Sequence, residues 1–157
     1  MDVVPHRFAG YAPGDTDFAA RMAAADATTQ ADFRSVLAHL ADLVSTAPTD
    51  RFLALTVVGY SDRQDRPDMS CDARRQSEEE ASTDRAAAAW EWMKAEVALT
   101  PGIGPDDWWD QSANLTWALV GAGATRLPFP VPTSESDRAA NRRVTILVSE
   151  FPSAPPP

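Results

Sequence analysis

The clearest pattern along the chain is an apolar stripe at helical spacing over residues 32–44. Side chains three and four positions apart lie on one face of a helix. The stripe consists of Phe33, Val36, Leu37, Leu40, Leu43 and Val44. Pro48 lies beyond its last member, as prolines often do after a helix. The pattern predicts an amphipathic helix that buries this stripe in a core.

Three short runs of apolar and β-branched residues predict strands at residues 52–58, 115–120 and 144–148. Gly59 ends the first strand, and a Gly-Ala-Gly sequence at 121–123 closes the second. A further strand is predicted within residues 6–16, where aromatic residues precede a Pro-Gly turn signal. Residues 127–133 contain three prolines, so we do not expect a central strand there.

A second long helix is predicted over residues 77–97, because Ser77 and Glu80 have the spacing of a capping box. The charged residues 63–76 before this helix include Pro67 and predict a loop. Residues 104–114 predict another loop, which carries Trp108 and Trp109. Shorter helical segments are predicted at residues 17–27 and 136–141.

The element order is β-α-β-α-β, then a loop and a last strand. This order predicts an α/β fold of the α+β sandwich type, in which helices cover one face of a small mixed sheet. We expect an N-terminal extension with a first strand at residues 1–29, one domain at 30–150, and a disordered Pro-rich tail at 151–157.

Composition and charge exclude several classes of function. A net charge of −9 argues against a nucleic-acid partner. No apolar run approaches the length of a membrane span, so direct membrane insertion is not expected. The single cysteine excludes an intrachain disulfide, and the two histidines have no neighbours at metal-ligand spacing. We therefore expect no metal and no cofactor.

The N-terminal residues bear on where the protein acts. Residues 1–10 contain no apolar segment of the kind found in secretory signals. A location in the cell envelope therefore requires that a signal was removed or that another export route is used. Otherwise the sequence predicts a cytoplasmic protein.

Three segments resemble the OmpA-like, peptidoglycan-binding family. Residues 57–62 read Val-Val-Gly-Tyr-Ser-Asp, and the family has a strand that ends in Gly-His-(Thr or Ser)-Asp. Ser82, Arg85 and Ala86 match the family's Ser-x-x-Arg-Ala pattern at the start of a helix. Residues 138–144 read Arg-Ala-Ala-Asn-Arg-Arg-Val and match the closing motif, which is the most specific of the three.

The resemblance implies a non-catalytic module that binds the stem peptide of peptidoglycan, commonly at diaminopimelate. It implies that Asp62 and Arg85 are the ligand-binding residues. The residue types suit a zwitterion, since an ammonium needs an anionic acceptor and a carboxylate suits a planar guanidinium donor. The plain alternative is that Asp62 and Arg85 form a simple ion pair with each other.

Other residues of the motifs are expected to have supporting roles: Gly59, Ser61, Arg138, Asn141, Arg142 and Arg143. Neighbouring residues of a strand point to opposite faces, so only one of Arg142 and Arg143 is expected to approach the site. The other is expected to be solvated or paired with an acid. Asn141 is expected to cap the preceding element or turn the chain into the strand.

The chain also departs from the family pattern. Tyr60 replaces the usual histidine, Asp137 replaces a glycine, and residues 63–76 form an insertion. The insertion and the Trp108/Trp109 loop are candidate contacts for protein partners, although tryptophan pairs more often pack into a core. These departures keep a second hypothesis open: a structural or assembly component of an envelope-spanning or phage-tail-like machine that reuses the fold.

Overall fold

The computed structural model describes residues 3–46, 52–63, 66–103, 108–111 and 114–151. Within them the element order is β1 (Val3–Ala9), α1 (Phe18–Ala23), α2 (Ala27–Thr46), β2 (Phe52–Tyr60), α3 (Cys71–Ala98), α4 (Trp108–Gln111), β3 (Leu115–Gly121), α5 (Glu135–Asn141) and β4 (Arg143–Phe151). The three strands predicted with clear boundaries are all present.

The strands form one mixed sheet in the order β1-β4-β2-β3. β4 lies between β1 and β2 and is antiparallel to both, whereas β2 and β3 are parallel. A parallel pair requires a crossover, and α3 supplies it. The predicted fold class, a small mixed sheet with packed helices, is confirmed.

A single core joins both long helices to the sheet, as predicted. The apolar stripe of α2 and the inward face of α3 belong to the same buried cluster as alternate residues of β2 and β4. Its members include Phe33, Leu40, Leu55, Ala89, Met93, Val144 and Ile146. Both helices therefore cover the same face of the sheet.

The start of α3 differs from the prediction. The helix begins at Cys71, and the side chain of Ser70 caps it by accepting a hydrogen bond from the Ala73 N–H at 3.1 Å. The predicted loop over residues 63–76 is therefore wrong from Cys71 onward, and the predicted capping box at Ser77 is wrong as well. The helix begins six residues earlier than predicted because residues 71–76 include alanine, arginine and glutamine, which favour helix without needing a core.

The predicted loop at residues 104–114 contains the short helix α4. Trp108 is buried there, with its ring 6.1 Å from that of Trp90 in α3. Its indole Nε1 donates to the carbonyl of Lys94 at 3.3 Å. Trp108 thus packs into the core and is not displayed for a partner.

The N-terminal residues belong to the same packed unit. β1 pairs with β4 along its whole length, and the side chains of Tyr11 and Phe18 are fully buried. The predicted boundary between residues 29 and 30 falls inside α2, which begins at Ala27. At the other end β4 continues to Phe151, so the first residue of the predicted tail at 151–157 lies in a strand, and the rest of that tail lies outside the described residues.

Candidate functional site

The end of β2 places Asp62 two residues beyond the strand. The residue is 7% exposed, and its side chain is held by two residues of the closing motif. One carboxylate oxygen accepts from Asn141 Nδ2 at 2.8 Å, and the other accepts from Arg138 Nη1 at 3.1 Å. A carboxylate has about four acceptor positions, so these bonds leave acceptor capacity for a ligand.

Arg85 lies on α3 and is almost completely buried, with 1% of its surface exposed. Its Nε donates to the carbonyl of Asp15 at 3.0 Å, and its Nη1 donates to the carbonyl of Tyr60 at 3.1 Å. Burial lowers the pKa of Arg85 from its usual value, but a guanidinium stays charged near neutral pH. Two of its five N–H groups are used, and both contacts fix its position beside the end of β2.

Asp62 and Arg85 are not paired with each other. Instead both line one cavity of about 470 Å³, which we call the strand-end cavity. The cavity is lined by Pro13, Gly14, Ser61, Asp62, Arg63, Arg66, Ser77, Ala81, Arg85, Glu135, Arg138 and Arg142. The alternative of a simple ion pair between the two residues is therefore wrong. Five arginines and two carboxylates line the cavity, so it is basic in an acidic protein.

Asn141 has a different role from the one predicted. It is the last residue of α5 and fully buried. Its amide group accepts from the Phe129 N–H at 3.0 Å and donates to the Phe129 carbonyl at 2.8 Å. It also donates to Asp62. Asn141 therefore joins the proline-rich segment 127–133 to the carboxylate of the site.

Arg142 and Arg143 point in different directions, as the alternation of a strand predicts. Arg142 faces the cavity: its Nε donates to the carbonyl of Tyr11 at 2.6 Å, and its guanidinium contacts Glu135. Its Nη1 lies 3.9 Å from a carboxylate oxygen of Asp62. The site thus receives a second cation near Asp62.

Arg143 is buried away from the cavity. Its guanidinium carbon lies 3.7 Å from the centre of the Tyr60 ring, and its Nη2 donates to the carbonyl of Arg126 at 3.0 Å. The expectation of a solvated or acid-paired arginine is wrong at this position. Tyr60 stands where the family that the sequence resembles usually has histidine, and it provides the ring on which Arg143 stacks.

Gly59 and Ser61 shape the wall between β2 and α3. A Cβ atom on Gly59 would lie 1.8 Å from the carbonyl oxygen of Ser82, so only glycine allows this approach of helix to strand. The N–H of Ser61 donates to the carbonyl of Gly123 at 3.0 Å. Close packing at Gly59 brings Arg85 within reach of the strand end.

Sequence reasoning missed the contribution of the segment between β1 and α1. This segment supplies the carbonyls of Tyr11 and Asp15 that position Arg142 and Arg85. The ring of Tyr11 also lies 5.3 Å from the guanidinium carbon of Arg85. Backbone carbonyls carry no residue-type signal, so no sequence motif marked these contacts.

Among the described residues, no group of three or more histidine, cysteine or acidic side chains is arranged to hold a metal ion. No helix in the described part of the chain is long and apolar enough to cross a membrane.

No family model and no curated protein matches this chain. Among solved structures, a MotB-like protein from Desulfovibrio vulgaris is 23% identical with a TM-score of 0.48, covering 95% of this chain and 76% of its own. The periplasmic domain of Helicobacter pylori MotB is 21% identical with a TM-score of 0.38, covering 73% and 64%. The cell wall anchor of the T6SS from Pseudomonas aeruginosa is 20% identical with a TM-score of 0.35, covering 74% and 66%. This chain thus spans just under two thirds of the latter two structures.

Proposed function

We propose that this chain is a non-catalytic peptidoglycan-binding module that anchors a larger assembly to the cell wall by a diaminopimelate-type stem peptide. One observation carries the proposal. Asp62 and Arg85, which match the ligand-binding positions of the family that the sequence resembles, line the same cavity without pairing with each other.

The charges of the cavity suit the free end of diaminopimelate. That end is a zwitterion, with an ammonium and a carboxylate on one carbon. Asp62 provides an acceptor for the ammonium, and the unused N–H groups of Arg85 provide donors for the carboxylate. The cavity volume of about 470 Å³ lies within the usual range for small-ligand sites.

The basic lining favours a stem peptide over a neutral ligand. Arg66, Arg138 and Arg142 add positive charge around Asp62 and Arg85. A stem peptide carries further carboxylates besides the one on the zwitterionic end. An arginine that pairs with a ligand carboxylate in a partly buried cavity contributes more binding free energy than the same pair at an open surface.

The test is binding to purified sacculi and to free meso-diaminopimelate. Asp62→Asn keeps the size of the side chain and removes its charge, so we expect affinity to fall by about 10- to 150-fold, or roughly 1.5–3 kcal/mol. Arg85→Ala is expected to have a similar effect, and the two effects are not additive because both residues hold one group. Far-UV circular dichroism and a thermal melt check that each variant folds.

A variant that fills the cavity provides a test independent of charge. Ala81 lines the strand-end cavity, whereas Ala87 on the same helix does not line it. Ala81→Leu is expected to reduce sacculus binding severalfold, and Ala87→Leu serves as the matched control. If the wild-type chain ignores both sacculi and millimolar diaminopimelate, the anchoring proposal fails and an assembly protein that reuses the fold takes its place.

A further inference from the structure

A second cavity of about 480 Å³ lies between the first turns of α3 and the turn that follows β3. Its walls are Arg74, Arg75, Glu78 and Glu79 on the helix and residues 121–125 opposite them. We call it the lateral cavity. Arg63 lines both this cavity and the strand-end cavity, so the two adjoin at that residue.

The lateral cavity has an arginine with an unused donor. Nη2 of Arg74 lies 3.2 Å from the Cys71 sulfur, but its buried Nε has no hydrogen-bond partner among the described residues. A buried donor without a partner destabilises the fold, and a ligand acceptor would remove that cost. Arg75 is held by Asp72 on the helix surface, so Arg74 and Arg63 are the cations available to a ligand.

The remaining lining selects the kind of ligand. Glu78 and Glu79 also face the cavity, so its charge is mixed. A polyanion such as nucleic acid would meet these carboxylates, whereas a peptide that brings a single carboxylate can reach Arg74 and Arg63. The start of α3 adds a partial positive charge on the same side, which favours a carboxylate near Arg74.

The lateral cavity is held in shape by the sheet. The N–H of Ala122 donates to the carbonyl of Gly59 at 2.9 Å, and the N–H of Gly123 donates to the Ser82 hydroxyl at 2.9 Å. These bonds fix the turn at 121–125 against both β2 and α3. The helix wall exists because α3 begins at Cys71, about three turns before Ser82, where the segment that resembles the family starts.

We propose that the lateral cavity binds a second part of the same stem peptide that occupies the strand-end cavity. In it Arg74 and Arg63 hold the free carboxylate of the stem residue next to the diaminopimelate, whose zwitterionic end lies in the strand-end cavity. This inference rests on the proposed function and extends it: the protein recognises a peptide of at least two residues.

Calorimetric titration of the whole chain with two probes tests the inference. Free meso-diaminopimelate fills only the strand-end cavity, whereas the tripeptide L-Ala-γ-D-Glu-meso-diaminopimelate reaches both. Arg74→Gln is expected to lower tripeptide affinity about tenfold, equivalent to about 1.4 kcal/mol. It should leave the affinity for free diaminopimelate within about twofold of wild type. Arg34→Gln, at an exposed arginine of α2 that lines neither cavity, is the matched control.

The outcomes separate the two proposals. Suppose that the wild type binds both probes and that Arg74→Gln lowers the affinity for neither, or lowers the two affinities equally. The lateral site is then wrong, and the proposed function stands. If the wild type binds neither probe, both fail. Ala124→Leu fills the lateral cavity without changing charge and should reproduce the loss for the tripeptide alone. Binding of the tripeptide that survives this variant unchanged would also overturn the lateral site.

Discussion

Gly59 is the point at which α3 rests on the backbone of β2, and Gly59→Ala tests how closely the fold depends on that contact. The added Cβ would lie 1.8 Å from the carbonyl oxygen of Ser82, 2.8 Å from its carbonyl carbon and 2.9 Å from the nitrogen of Ala86. Carbon atoms in contact prefer about 3.5–4.0 Å. All three atoms belong to the backbone of a 28-residue helix, so no side chain can rotate away.

The expected cost follows from that geometry. Overpacking usually costs about 1–3 kcal/mol, and rigid neighbours place this case at the upper end, near 3 kcal/mol. In a domain of this size the melting temperature would fall by roughly 6–12 °C. Urea denaturation and a thermal melt measure both quantities.

A matched glycine provides the control. At Gly121 the nearest atom to an added Cβ is the Thr83 hydroxyl oxygen at 2.1 Å, which belongs to a side chain that can move. Gly121→Ala should therefore cost less than Gly59→Ala. A loss below about 1 kcal/mol for Gly59→Ala would refute the claim that this contact sets the position of α3.

The same variant should also reduce binding. Moving α3 outward carries Arg85 away from the carbonyl of Tyr60, which its Nη1 now reaches at 3.1 Å. Under the proposed function, Gly59→Ala would then lose affinity for sacculi even at temperatures where it is fully folded. Unchanged binding would show that the cavity tolerates displacement of the helix.

Two further predictions concern the closing motif. Asn141→Ala removes three hydrogen bonds that join Asn141 in α5 to Phe129 and Asp62. It should therefore lower the free energy of unfolding, measured by urea denaturation, by about 2–4 kcal/mol. A loss under about 1 kcal/mol would contradict the role assigned to this side chain. Hydrogen bonds from the backbone and hydroxyl of Thr133 and from Ser134 hold the pKa of Asp137 below its usual value. The ionised Asp137 therefore stabilises the fold above about pH 4, and this stabilisation is lost as the pH falls through the pKa of Asp137 in the folded state. In Asp137→Asn the free energy of unfolding, measured as a function of pH, should therefore fall less steeply at acid pH than in the wild type. An equally steep fall in the variant would contradict this.

Much of the fold follows from local patterns. The stripe of α2 and the strands β2 and β4 were predictable because burial on one side imposes a period of 3.6 or of 2 on the sequence. β3 has no buried residue, and its apolar and β-branched residues alone predicted it. The order of the motifs also placed Asp62 after a strand and Arg85 on the following helix. The resemblance thus pointed to two residues, Asp62 and Arg85, that line the strand-end cavity.

The start of α3 could not be predicted from the sequence in the same way. Its first two turns project beyond the core, so no apolar period marks them, and a charged segment with a proline before it is typical of a loop. Ser70 and Ser77 are both acceptable caps by residue type. Tertiary structure decided between them, and the lateral cavity is a consequence of that choice.

The sequence by itself determined the residue types of the site, and tertiary structure alone decided what each one touches. Arg85 donates to the carbonyl of Asp15 and Arg142 to the carbonyl of Tyr11, 70 and 131 positions away in the chain. Every residue has a carbonyl, so such bonds impose no preference on the sequence at the accepting position. They form only because β1 pairs with β4 and thereby brings the segment after β1 to the end of β2.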